Sequence, residues 1–230
     1  MEIVLLKDQR KAKIMFLNRK HAAHLLSDKL VAYKDSNSVV VAMPRGVVPV
    51  GYHLAAELHL PLEVIPCKRI EDAVDSHKSI GSVSLDGVAL SGENLNIPQD
   101  YICHQVAQLK HRLQAQNQFY NQDRHPIDVN RKVVILVDDR MESESQMLAC
   151  LRSVRNQMPE RIIVAVPVAT PRAAQKVRDE SDDFICLLMP SRIEAPEAFY
   201  EYLPAVTDDE VKFLLLKAGA REENGVPASI

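Results

Sequence analysis

Apolar residues recur along this chain with two different periods. After Asn18, a residue suited to capping a helix, Ala22, Leu25, Leu26, Leu30 and Ala32 are spaced by threes and fours, which predicts a helix to about Tyr33. The β-branched run "SVVVAM" (38–43) predicts a short buried strand, stopped by the turn residues "PRG". A helical pattern returns from Val48 to Leu58, "PLEVIP" predicts a second strand, and "SIGSVSLDGVALSG" predicts extended segments joined by glycine turns. Between Pro98 and Asn121, Ile102, Val106, Leu109 and Leu113 step by three or four while glutamines and basic residues fill the other face. One long amphipathic helix is expected there, packed on the domain surface, with a homodimer contact as the alternative.

The rest of the chain alternates strand and helix: "KVVILV", a helix from about Ser143 to Met158, "RIIVAVPV", a helix from Pro171 to about Asp179, "DFICLLM", and a last helix from Asp208 to Ala218. Apolar β-branched strands alternating with helices predict an α/β fold, a parallel sheet covered on both faces. At 230 residues one continuous core is expected, a single domain over residues 1–218. Residues 219–230 read as a polar, mobile tail.

Composition narrows the function classes. Lys and Arg total 28 against 31 Asp and Glu, a net charge of −3 without a long basic run, so a duplex nucleic acid has no electrostatic footprint to bind. Cys67, Cys103, Cys150 and Cys186 lie far apart with no CxxC pair, which suits reduced thiols in a cytosol better than disulfides. The opening "MEIVLLKDQRK" is apolar too briefly for a secretion signal, and no run of about 18 apolar residues exists to span a membrane. A cytoplasmic protein without a membrane partner is expected. His21, His24, His104 and His111 have no cysteine or acid at metal-ligand spacing, so no metal site of the chain's own is expected. A dinucleotide-binding oxidoreductase is disfavoured, because no GxGxxG opens a helix and the chain holds only seven glycines.

In an open parallel sheet, ligands bind beyond the carboxyl ends of the strands. Two strand ends stand out: "AMPRGVVPVG" after the first strand and "VDDRMESESQM" after the strand at 133–137. Glycine lets backbone amides close around an anion, a helix N-terminus adds positive potential, and carboxylates accept from sugar hydroxyls. Together with "CKRI" at 67–70 and the aromatic segment "AFYEYLPAVTDDEV", these loops resemble the type I phosphoribosyltransferases, over about residues 7–217. The resemblance is greatest to the stand-alone predicted members of that family.

The resemblance implies a five-stranded parallel core sheet flanked by helices, with a small hood. It implies binding of phosphoribosyl pyrophosphate, accompanied by Mg²⁺, and transfer of the ribosyl phosphate to a nitrogenous acceptor. Pro44, Arg45, Gly46 and Val47 then match the pyrophosphate loop, and Lys68 and Arg69 lie near the same anion. Asp138 and Asp139 match the acidic pair that holds the ribose hydroxyls, with Arg140 beside them; Ser143, Glu144, Ser145 and Gln146 match the turn that cradles the 5′-phosphate. Tyr200 and Tyr202 are expected to pack in the hood rather than stack on a base.

Two departures bear on activity. Where the family pattern has glycine, this chain has Glu144 and Val47, and a glutamine, Gln146, replaces the last threonine of the phosphate turn. A carboxylate 4 Å from a phosphate charge at an effective dielectric near 20 repels it by about 4 kcal/mol. Ser143 and Gln146 fit an S-x-x-Q capping box, in which the helix start is satisfied by the chain's own atoms. Two classes follow: a phosphoribosyltransferase with weakened or lost turnover, or a non-catalytic binding or regulatory module on the same fold.

Overall fold

The computed structural model describes residues 16–74, 79–90, 97–193, 195 and 198–224. In chain order its elements begin with α1 (Arg19–Lys29), β1 (Ser38–Ala42), α2 (Val48–Leu58) and β2 (Leu62–Val64). There follow β3 (Cys67–Glu71), β4 (Ser79–Ser84), β5 (Val88–Leu90) and α3 (Gln99–Asn121). The chain ends with β6 (Val133–Val137), α4 (Ser145–Arg155), β7 (Arg161–Val168), α5 (Pro171–Arg178), β8 (Asp183–Leu188) and α6 (Asp208–Asn224).

Five strands form a parallel sheet in the order β2-β1-β6-β7-β8. Every residue of β1 is buried, as is every residue of β7 after Arg161, the expected state of a sheet covered on both faces. α2 can press against β1 and β2 because Gly51 has no side chain; a Cβ there would meet the Ala42 Cβ at 2.9 Å and Leu62 Cδ1 at 3.1 Å.

A smaller antiparallel sheet, β3-β4-β5, forms a second layer. It shares its own apolar cluster with α3, made by Ile70, Ile80, Val83, Ile102, Leu109 and Leu113. A third cluster, of Phe16, Ala22, Val168, Ile193 and Tyr200, lies under the segment that follows β8. The connection from α3 to β6 is pinned to the main sheet by a buried ion pair: Arg124 donates to both Glu63 oxygens, at 2.9 and 2.6 Å.

The expected strands are present, and the differences lie at helix ends. Asn18 does cap α1, accepting from His21 N at 3.0 Å, but the helix closes at Lys29 and continues only as a short 3-10 turn to Tyr33. α6 runs to Asn224, so residues 219–224 of the expected tail are helical, and residues 225–230 lie outside the described part. α4 is shorter than expected and begins at Ser145, with Glu144 as an N-cap that makes no side-chain capping bond. The capping box predicted at Ser143–Gln146 is therefore not formed. One forms instead at α6, where Thr207 Oγ1 accepts from Glu210 N at 3.2 Å and Glu210 Oε2 accepts from Thr207 N at 2.7 Å.

Candidate functional site

β1 and β6 are neighbours in register, with Ala42 beside Val137, so the loops that leave their carboxyl ends start side by side. This brings Gly46 against Asp139, so two sequence segments separated by about ninety residues become neighbours.

The first loop carries a cis peptide between Pro44 and Arg45. Gly46 lies flat against an ion pair: a Cβ there would approach Arg19 Nη2 to 3.1 Å and Asp139 Oδ2 to 3.4 Å. Val47 has an ordinary right-handed backbone (φ −79°, ψ −26°) and turns its side chain into the core, which is how a second glycine position comes to hold a branched residue. The Arg45 side chain is more than half exposed and lies 3.7 Å from Asp208 Oδ2.

Asp208 opens α6 and accepts from Tyr120 Oη and from Gln116 Nε2. Burial pushes its carboxyl up, but those two hydrogen bonds and the positive charges of Arg45 and Lys68 bring it net below the usual carboxylate range. Arg45 thus lies beside this carboxylate, and Lys68 is near enough to add its positive charge to the field there. Arg69 is not part of this group, because successive strand residues point to opposite faces. It shares the face of Cys67 and of cross-strand Ser82, the face whose Ser82 hydroxyl bonds Ser145 at 3.2 Å and whose Cys67 thiol donates to the Gln146 carbonyl at 3.7 Å. The Lys68 and Arg69 side chains thus leave the strand on opposite faces.

The two adjacent acids differ in their surroundings. Asp139 is buried and its Oδ2 accepts from Arg19 Nε and Nη2 at 3.3 and 3.2 Å, while Arg140 Nη1 stands 3.6 Å from the other oxygen. Asp138 is half-buried and uses Oδ1 to accept from Asp139 N at 2.8 Å and, more weakly, from Arg140 N at 3.5 Å. Burial, reinforced by the Asp139 charge beside it, pushes the Asp138 carboxyl up to about 8.

Beyond them, the turn that opens α4 is held by α5. The Glu142 carbonyl accepts from Thr170 Oγ1 at 3.0 Å, and Glu144 is ion-paired and hydrogen-bonded to Lys176. Burial works against ionising Glu144, yet the Lys176 hydrogen bond and Glu144's own backbone amide bring its carboxyl net below the usual range. Its charge is thus compensated inside the protein by Lys176. Ser143 is exposed, Ser145 is buried against Ser82, and Gln146 is half-buried.

Arg19, Lys176 and Asp208 were not legible as site residues, since each acts through a partner distant in sequence or on another element. Tyr200 packs as expected: it is buried, lies 5.2 Å from the Phe16 ring and donates its hydroxyl to the Asp139 carbonyl at 2.7 Å. Tyr202 does not; it is 66% exposed and borders a cavity of about 420 Å³ with Arg19, His53, Pro204 and Phe213.

Comparison with known proteins identifies the family and the fold. The chain is 23% identical over 208 residues to "Putative phosphoribosyl transferase Rv0571c" of Mycobacterium tuberculosis H37Rv, covering 89% of this chain. It is equally similar to the protein of strain CDC 1551, and it spans about half (47%) of the length of these curated relatives. The crystal structure of TT1426 from Thermus thermophilus superposes with a TM-score of 0.76 at 28% identity, over 89% of this chain and 99% of that one. Residues 13–202 match the family model described as the phosphoribosyl transferase domain, and the chain belongs to that family.

Proposed function

We propose that this protein is a phosphoribosyl pyrophosphate-binding member of its family in which the seat for the 5′-phosphate is filled by its own Glu144 carboxylate, so that transfer to a nitrogenous acceptor is weakened or lost. The observation that carries this reading is the Glu144–Lys176 pair at the start of α4. A helix N-terminus is a natural anion site. Here a carboxylate of the chain lies at the turn that opens α4, accepting from its own amide and from Lys176 of α5, and in this reading it stands in for the phosphate.

The remaining groups suit the rest of the substrate. Asp138 offers a carboxyl to ribose hydroxyls, and Arg45 and Lys68 offer positive charge to a pyrophosphate leaving group. Displacement at the anomeric carbon passes through an oxocarbenium-like state and needs no protein nucleophile; what the chain contributes is orientation and neutralisation of the departing charge. Among the described residues no three His, Cys, Asp or Glu converge as a ligand set. Mg²⁺ fits this site as an ion carried by the pyrophosphate, with Asp138 as the carboxyl that could offer it an oxygen ligand. Bound there, it would neutralise the leaving group.

The experiment is a thermal-shift titration with Mg²⁺ and phosphoribosyl pyrophosphate, in which binding raises the melting temperature by linkage, with the logarithm of one plus ligand concentration over Kd. The wild-type protein should respond weakly at millimolar ligand. A Glu144→Gly, Gln146→Thr variant, which frees Lys176 and the amide of residue 144, should bind at least about tenfold more tightly, roughly 1.4 kcal/mol. Equal binding by both proteins would refute the filled-seat reading. No binding by either would favour a non-catalytic module that uses another ligand, the second class that the same ion pair allows.

A further inference from the structure

Four separate parts of the chain meet at Asp139. Its carboxylate takes two nitrogens of Arg19 from α1, and the third nitrogen of the same guanidinium, Nη1, donates to the Pro204 carbonyl at 2.6 Å. Its backbone carbonyl takes the Tyr200 hydroxyl at 2.7 Å, and Gly46 of the β1 loop lies against the ion pair. The segment so fastened is also stitched to the residues before α1: Glu201 N donates to Phe16 O at 2.9 Å and Tyr202 N to Leu17 O at 3.0 Å.

We infer that Arg19 is a positioning residue that divides the two adjacent acids between two tasks: it fixes Asp139 as the anchor of the 200–204 segment, and it leaves Asp138 as the one carboxyl of the pair that meets a ligand's hydroxyl groups. The side chains of Arg19 and Asp139 are 10% and 7% exposed. At Oδ2 a sugar hydroxyl would have to displace the Arg19 guanidinium, leaving a buried charge unpaired, which is strongly destabilising; Oδ1 has the Arg140 guanidinium 3.6 Å away and belongs to a side chain that is almost wholly buried. Asp138 has the opposite character. It is half-buried, its Oδ1 is held by backbone amides, and its Oδ2 makes no hydrogen bond among the described residues. A carboxyl oriented by its own turn, with a second oxygen open, is prepared to receive a hydroxyl.

This inference rests on the reading that the cleft takes a sugar phosphate, and its two halves are tested separately. The anchor is tested on the ligand-free protein by amide hydrogen exchange. Arg19→Lys keeps the positive charge but cannot bridge Asp139 and Pro204 together, so the amides of Glu201 and Tyr202 should exchange at least tenfold faster while those of β1, β6 and β7 stay protected. Asp138→Asn should leave the segment's exchange unchanged. Wild-type exchange in Arg19→Lys would overturn the anchor.

The ligand half is tested with Mg²⁺ and phosphoribosyl pyrophosphate as the probe, in the Glu144→Gly, Gln146→Thr background. Added there, Asp138→Asn should weaken binding at least tenfold. Undiminished binding in Asp138→Asn, or loss of binding in Asp139→Asn with the 200–204 segment still protected, would overturn the division. Absence of binding in every protein would remove the assignment of Asp138 together with the sugar-phosphate reading, while the anchoring role is decided by exchange alone.

Discussion

At the scale of single residues, the environment of a carboxyl decides its task. Asp138 and Asp139 are identical and adjacent, yet one is neutralised by a guanidinium and the other is pushed toward its protonated form by burial and by its neighbour. A carboxyl whose folded value is raised to about 8 stabilises the fold most when both states are protonated, below about pH 4; that contribution is lost as pH rises through about 8. Asparagine keeps the Oδ1 acceptor and cannot ionise. The melting temperature of Asp138→Asn should therefore exceed that of wild type by a margin that grows from pH 5 to pH 8.5, reaching several degrees. Parallel pH profiles for the two proteins would show that Asp138 ionises freely. Glu144 carries the opposite lesson. Sequence alone made it a repulsive charge, and only the fold supplied Lys176, thirty-two residues away, to neutralise it.

At the scale of elements, local signals located strands well and helix ends less well. The runs of Val and Ile named β1, β6 and β7 because a strand buried on both faces has almost no other composition available. The S-x-x-Q at residue 143 and the T-x-x-E at residue 207 are equally good capping boxes as strings. Only the second forms, because the α4 turn is claimed by contacts from α5 and from the antiparallel sheet. Replacing Thr207 by Ala should lower stability by about 1 kcal/mol, the usual worth of an N-cap, seen as a drop in the denaturation midpoint at unchanged slope. The loss should be confined to α6: exchange of its first amides should quicken, and that of α4 should not.

At the scale of the whole molecule, a few buried polar pairs tie the layers together. Glu63 is a charged residue inside the main sheet, tolerated because Arg124 meets both of its oxygens and Ile127 N donates to Oε2 at 2.6 Å. Removing one partner strands the other charge, so Arg124→Met should destabilise the protein by roughly 3–5 kcal/mol. Glu63→Gln combined with Arg124→Met should recover part of that loss, because no buried charge is then left alone. Denaturant midpoints of the two variants check this, and equal losses would show that the ion pair is not the source. In the same way Arg19 and Asp139 join α1, the β1 loop, β6 and the segment after β8.

The sequence by itself determined the class of fold and the two loops at which chemistry is possible. Strand and helix periodicity, turn residues and paired acids are local properties, and each needs only a few neighbouring residues to be recognised. Tertiary structure alone decided what surrounds the side chains of those loops. Whether Asp139 faces a ligand or an arginine, whether Glu144 repels or is neutralised, and whether Lys68 and Arg69 act together all depend on side chains brought close by the fold. Electrostatic energy falls with distance in space and is blind to distance along the chain.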